Sequence, residues 1–215
     1  MWGFTLFEDA ILDGIADTLA EQGYIILKDF LPEALANALR DDVVSMTAQA
    51  FKPASVGRQQ SQRLNTQIRS DKIHWLGEAQ PPQKAYLQMM EQLRVALNQR
   101  LFMGLFDYES HYAHYGPGDC YHRHVDAFKG ASNRVLSTVF YLNRDWAKDE
   151  AGELLMYADE QSSPFMIITP KFNTCVLFLS EQFPHEVRAA KRDRYSIAGW
   201  FRLNSSSNQR IDPRR

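Results

Sequence analysis

What the 215-residue chain lacks narrows the field first. No apolar run approaches the ~20 residues of a membrane span. The opening "MWGFTLFEDAILDG" is acidic and interrupted, unlike a signal peptide, so the expected location is the cytoplasm. Only two cysteines occur, Cys120 and Cys175, and without an export signal they are expected as free thiols rather than a disulfide. No C-x-x-C pair exists, which removes the usual structural zinc knuckle. Lys and Arg (24) nearly balance Asp and Glu (26), a formal charge of -2, so nothing electrostatic points to nucleic acid or a membrane surface, and the basic end "NQRIDPRR" is too short to change that. Repeats, low-complexity stretches and linkers are missing too, so residues 1–215 are expected to form one domain. What remains is an ordinary globular composition, 45 % hydrophobic and 23 % charged. A chain of this length buries about 70 % of its unfolded surface.

Local patterns divide the chain. Ile11, Leu12, Ile15 and Leu19 recur at helical spacing over residues 8–21, "YIILKDF" at 24–30 is a strand candidate, and Pro32 suits the first turn of a helix through "EALANALRDDVVSMTAQA". Residues 52–66, "KPASVGRQQSQRLNT", are polar and aperiodic and predict a long functional loop. A helix is expected over 81–103, with Tyr86, Met89, Met90, Leu93, Leu97 and Leu101 on one face and Gly104 as its stop. From Tyr108 onward the pattern becomes eight short strands: "YESHYAHY", "CYHRHVDAF", "VLSTVFYLN", "GELLMYA", "PFMIITP", "TCVLFLS", "HEVRAA" and "RYSIAGWFRL". The expected fold is α+β and mainly β, an antiparallel double-sheet jelly roll (the cupin-like double-stranded β-helix). Residues 1–107 would be mostly helical support and loop, packed on one outer face, and 108–203 the jelly-roll core.

The stretch "YHRHVDAF" places His122, His124 and Asp126 on alternate positions. Residues i and i+2 of a strand point to one side, so His124 and Asp126 can offer an imidazole and a carboxylate to one point, although His122 has the same parity and competes. His185 in "FPHEVRAA" is the best third ligand from a remote strand. Two histidines and one carboxylate on one face, with open positions left over, suit a non-haem Fe(II) oxygenase. Arg194 lies on a strand expected to be apolar inside, and its planar fork would bind the carboxylate tail of a chelator such as 2-oxoglutarate, with Tyr141 adding a hydroxyl. "HEVRA" is no zinc-protease helix, because position 189 is Ala. His111 and His114 are expected to face solvent or to support the ligands from behind.

Taken in order, "IRSDKIHWL", "GPGDCYHRHVDAF", "VFYLNRDW", "AGELLMY", "ITPKF", "LFLSEQFPHEV" and "RDRYSIAGWF" resemble the catalytic domain of the hypoxia-inducible-factor prolyl hydroxylases over about residues 55–203. The resemblance implies Fe(II) on His124, Asp126 and His185, setting His122 aside. It implies the far carboxylate of 2-oxoglutarate on Arg194, with Tyr141 and Tyr115 as hydrogen-bonding neighbours and Trp200 as a wall near the metal. Arg69, Asp71 and Arg134 match positions that shape the substrate loop and groove. Ala127 and Ala198 depart from the animal enzymes, which carry Asn and Thr there. The chain looks like the compact bacterial branch, which is associated with hydroxylating a proline of elongation factor Tu. The implied reaction consumes dioxygen and 2-oxoglutarate, releases succinate and carbon dioxide, and uses ascorbate as an accessory reductant. The rival expectations are a small-molecule hydroxylase of the same chemistry, acting for instance on a free amino acid, and a non-catalytic sensor that binds 2-oxoglutarate and iron.

Overall fold

The structure, a computed structural model, describes residues 7–54, 68–127, 132–160 and 163–206. The first six residues, most of the expected loop at 52–66 and the basic end lie outside the described residues. No helix among the described residues is long and apolar enough to cross a membrane.

Among the described residues, three α-helices precede the jelly roll: α1 (Asp9–Gln22), α2 (Glu33–Ser45) and α3 (Pro81–Leu101). Helix α1 stops where Gly23 turns left-handed, at a φ of 77°, and returns its N–H to the Leu19 carbonyl. Helix α2 is shorter than expected. Pro32 precedes its first turn rather than joining it, and the apolar spacing lapses after Val43, leaving Ala48–Ala50 as a separate 3-10 turn. Gly104 is not the stop of α3. Phe102 takes the left-handed position itself, with φ 53°, and closes on Asn98. The face of α3 named from spacing is the buried one, with Tyr86, Met89, Met90, Leu93 and Leu97 at most 1 % exposed.

Among the described residues, eleven strands form two sheets. The larger joins β1 (Tyr24–Lys28), β9 (Thr174–Leu179), β6 (Arg134–Tyr141), β11 (Arg194–Arg202), β4 (Asp107–Tyr115), β3 (Lys72–Trp75) and β2 (Lys52–Pro53), in that order. The smaller joins β5 (Tyr121–His124), β10 (His185–Val187), β7 (Leu154–Met156) and β8 (Met166–Ile168). The eight expected strands supply four members of each sheet, and every pairing is antiparallel. This is the double-stranded β-helix. Strands β2 and β3 were not anticipated: they are too short to alternate visibly and exist by pairing on the edge of β4.

The two faces of the larger sheet bury different things. Its outer face, with Tyr108, Tyr112, Leu136, Phe140, Ile197 and Phe201, packs under the helices. Its inner face meets the smaller sheet through Ala113, Tyr115, Tyr141, Val176 and Phe178. At the centre of the outer face a Cβ on Gly199 would stand 2.1 Å from the Tyr108 hydroxyl, so only glycine fits. That hydroxyl is bonded to Thr138 (2.7 Å) and Tyr86 (3.0 Å), which satisfies three buried polar groups without water.

Candidate active site

The smaller sheet carries two of the expected metal ligands opposite one another, because His185 of β10 pairs in register with His124 of β5. Two residues further along β10, Val187 faces Tyr121, which lies three residues from His124, so β5 holds one extra residue. Such a bulge re-aims side chains beside a site. Strict alternation fails here, and His122, which shares His124's parity in an ideal strand, is exposed. Asp126 reaches the same point from a bend beyond the strand, so its convergence does not come from strand parity.

His124, Asp126 and His185 offer ligand atoms that all lie within 4.8 Å of one another. Each histidine Nε2 stands 3.7 Å from a different oxygen of Asp126. The His124 Nδ1 bonds the His122 carbonyl (2.8 Å) and the His185 Nδ1 bonds the Phe183 carbonyl (3.0 Å). A carbonyl only accepts, so in both rings Nδ1 carries a hydrogen, and in the neutral ring Nε2 presents a bare lone pair. Ser137 donates to Asp126 at 2.6 Å. Its single hydrogen being used there, the 2.8 Å contact with Ser180 makes Ser180 the donor to Ser137. Burial pushes the Asp126 carboxyl up, but His185 and His124 outweigh it and hold the group well below the usual carboxylate range. Burial, then the charge of His124, pulls His185 down to about 4 against the pull of Asp126. Donor identity, lone-pair direction and charge all fit a divalent cation with open positions.

Arg194 is 1 % exposed on the inner face of β11. Its Nε donates to the Gly152 carbonyl (2.9 Å) and its Nη1 to Ser196 (3.3 Å), while Nη2 is buried with no hydrogen-bond partner among the described residues. Its cationic carbon lies 5.0 Å from the Tyr115 ring and 5.1 Å from the Tyr141 ring. Tyr141 Oη is likewise buried with no well-formed hydrogen bond among the described residues, and burial lifts its phenol to about 12 against Arg194's charge and a weak polar contact with the same guanidinium. Next along the inner face come Ala198 of β11 and its partner Val139 of β6, both partly exposed although these are central strands. Solvent therefore reaches the inner face beside Arg194. An orphaned guanidinium nitrogen and an orphaned phenol at such a place fit one carboxylate.

The remaining expected residues stand around this site as pairs. Arg69 grips Asp71 with two bonds (2.6 and 3.0 Å), and Asp71 is only 1 % exposed, so this is a buried pair rather than a loose loop contact. Arg134 is bonded to Glu109 and lies 3.4 Å over the Trp200 ring. Trp200 pairs with Ser137, the residue that holds Asp126. His111 does not face solvent: it is 1 % exposed between Trp75 and Trp200. His114 stacks on Tyr195 and pairs with Asp193 near the surface. Ala127 is buried, its N–H on the Ser180 carbonyl. Sequence reasoning missed Ser137 and Ser180, hydroxyls ending or interrupting apolar strand runs, and Tyr121, whose place depends on the bulge.

A jelly roll with two imidazoles and one carboxylate converging between its sheets, and a buried arginine further along the inner face, defines the class of 2-oxoglutarate- and Fe(II)-dependent oxygenases. The sequence profile of the 2OG-Fe(II) oxygenase superfamily matches residues 110–202. A crystal structure of a Pseudomonas putida prolyl-4-hydroxylase superposes with a TM-score of 0.80 at 37 % identity, covering 90 % of this chain and 99 % of that one. A prolyl hydroxylase of Trichoplax adhaerens, in complex with a peptide fragment of the hypoxia inducible factor oxygen degradation domain, superposes at 0.77 with 25 % identity over 90 % of each chain. Egl nine homolog 1 of Homo sapiens is 28 % identical over 200 residues, 88 % of this chain and 46 % of that protein, so the chain spans about half the length of that relative. The chain belongs to the 2OG-Fe(II) oxygenase superfamily, and over about nine tenths of its length it is similar to prolyl hydroxylases.

Proposed function

We propose that the protein hydroxylates a prolyl residue of a protein substrate, with Fe(II) on His124, Asp126 and His185 and the far carboxylate of 2-oxoglutarate on Arg194 and Tyr141. The observation that carries this reading is the pair of buried atoms, Arg194 Nη2 and Tyr141 Oη, that find no hydrogen-bond partner among the described residues, on the sheet that also carries Ser137, the donor to Asp126 of the triad. Iron and 2-oxoglutarate, when bound, supply the oxidising chemistry, in which one atom of dioxygen enters the prolyl C–H bond and the other enters succinate as carbon dioxide leaves.

The chain's own residues bind, orient and exclude. The backbone bonds at both Nδ1 atoms keep both Nε2 lone pairs available, and Ser137 fixes the carboxylate. Arg194, whose planar fork suits a carboxylate, orients the cosubstrate tail with Tyr141 and Tyr115. Trp200 walls the metal region, and Arg69, Asp71 and Arg134 border the groove for a peptide. The helices would be support for one oxygenase domain spanning residues 1–215. The peptide bound by the Trichoplax relative favours an extended protein segment over a free amino acid. Elongation factor Tu is the first substrate to test, with ascorbate as reductant and the cytoplasm as the setting.

The test is mass spectrometry of elongation factor Tu after incubation with the protein, Fe(II), 2-oxoglutarate and heavy-isotope dioxygen, beside Asp126→Ala. One labelled prolyl hydroxyl, absent with the variant, supports the whole reading. Consumption of 2-oxoglutarate without modification removes that substrate, and absence of both turnover and iron binding removes the site assignment.

A further inference from the structure

The bulge in β5 has a second effect: it turns Tyr121 to the side on which His124 projects. The two rings stack, with centroids 3.5 Å apart and planes 14° from parallel. On the phenol sits Arg69, its guanidinium carbon 4.7 Å from the ring centroid. Arg69 cannot swing away, because the buried carboxylate of Asp71 holds it through two bonds. The segment bearing both is itself fastened to the strand. Ser70 N–H donates to the Cys120 carbonyl (3.1 Å), His122 N–H donates to the Ile68 carbonyl (2.9 Å), and the Ser70 hydroxyl accepts the Cys120 N–H (2.9 Å).

We infer that Tyr121 is a positioning residue for the metal ligand His124, backed by the Arg69–Asp71 pair, so that residues 68–71 set the orientation of one ligand from outside the coordination sphere. The Nδ1 bond to the His122 carbonyl fixes the ring's tautomer and one point on it, but leaves it free to rock about that bond. A flat phenol against the imidazole removes that freedom. The cation then strengthens the stack, because a positive charge is attracted to an aromatic π-face. His185 is held differently: its neighbour is Phe178, edge-on at 4.8 Å, deep in the core. His124 is the more exposed imidazole, with 16 % of its side chain accessible against 6 %, and so gains more from an added brace.

This inference rests on the proposed metal triad, and Co(II) as probe separates the two. Its affinity and its visible ligand-field spectrum are followed by titration without 2-oxoglutarate or turnover. Binding by the unaltered protein and its loss in His124→Ala establish the ligand; no binding by the unaltered protein overturns the triad and this inference with it. Given binding, Tyr121→Leu is expected to weaken Co(II) by about 10- to 100-fold, the usual cost of losing a ligand's outer support, and to shift the spectrum. Tyr121→Phe, which keeps the ring, should stay within about threefold, since outer support comes from the ring and not the hydroxyl. The double variant Arg69→Gln/Asp71→Asn retains two hydrogen-bonding amides but no cation. It should weaken binding several-fold alone and add nothing to Tyr121→Leu, because contacts acting through one group are not additive. Unchanged Co(II) affinity and spectrum in Tyr121→Leu, or additive losses in the triple variant, would overturn the inference. Circular dichroism of each metal-free variant identifies any that fails to fold, and Tyr121→Trp then replaces Tyr121→Leu, with retained affinity expected and a loss counting against the stack.

Discussion

The guanidinium carbon of Arg194 lies 5.1 Å from the centre of the Tyr141 ring, and each residue keeps one buried polar atom with no hydrogen-bond partner among the described residues. Leaving such atoms unpaired costs about 1–3 kcal/mol each, more for a charge. A ligand carboxylate removes that cost from both at once, which is how a binding site differs from a structural ion pair.

Arg194→Ala should therefore raise the 2-oxoglutarate Kd by about 10- to 100-fold, from the ~1.5–3 kcal/mol carried by a hydrogen bond to a charged group. Tyr141→Phe should raise it by about tenfold or less, since only a neutral donor is lost. Calorimetric titration with Mn(II) in place of iron measures both without turnover. Equal affinity in Arg194→Ala would make the arginine purely structural.

Ser137→Ala removes the hydroxyl that donates to Asp126 and leaves the buried Ser180 hydroxyl without its acceptor. Metal affinity is expected to drop by about 10-fold or more, and urea unfolding of the metal-free protein should show a loss of about 1–3 kcal/mol from the unpaired hydroxyl. A loss of stability with unchanged metal affinity would contradict this.

Gly199→Ala sets a methyl 2.1 Å from the Tyr108 hydroxyl and 2.5 Å from its ring carbon. Overpacking of this kind costs about 1–3 kcal/mol, and here the buried hydroxyl relay through Thr138 and Tyr86 must also shift. Urea unfolding should show a loss at or above that range, and an unshifted midpoint would mean that the sheet gives way locally.

His111 makes stability depend on pH. Burial, reinforced by Arg69's charge, lowers its pKa from 6.5 to about 3. The unfolded chain then binds the proton that the folded one refuses, so this contribution is complete above pH 6.5 and is lost as pH falls from 6.5 towards 3. The full effect is of order 5 kcal/mol at about 1.4 kcal/mol per unit. His111→Gln should flatten the unfolding free energy across that window in the metal-free protein. His185 acts in the same direction between 6.5 and about 4, so some slope persists.

Much of this was legible in the letters. The eight core strands announced themselves through β-branched and aromatic runs broken by turn residues, and the face of α3 through its spacing. The convergence of His124, Asp126 and His185 was readable as residue types, but not for the right local reason: alternation put His122 and His124 on a par, and only the slipped register between β5 and β10 separates them. Registers depend on which strand pairs with which, and a single chain read alone does not encode that visibly. Strands β2 and β3 escaped for a related reason, since their stability lies in the partner edge and not in their own composition. Arg194 was betrayed by its misfit, a charge in an apolar strand. Ser137 and Ser180 gave only the weaker cue of small hydroxyls in such strands.

The extra residue in β5 also behaves like a change of reading frame. Upstream of it one set of alternate positions faces the site, downstream the other set does, and Tyr121 and His124 belong to different frames that happen to coincide in space. The spacing between them is consequently more constrained than the identities of His122 and Arg123, which fill it. Related chains should tolerate many substitutions at those two positions, while a deletion of either would turn the brace away from its ligand without altering a single chemical group in the site.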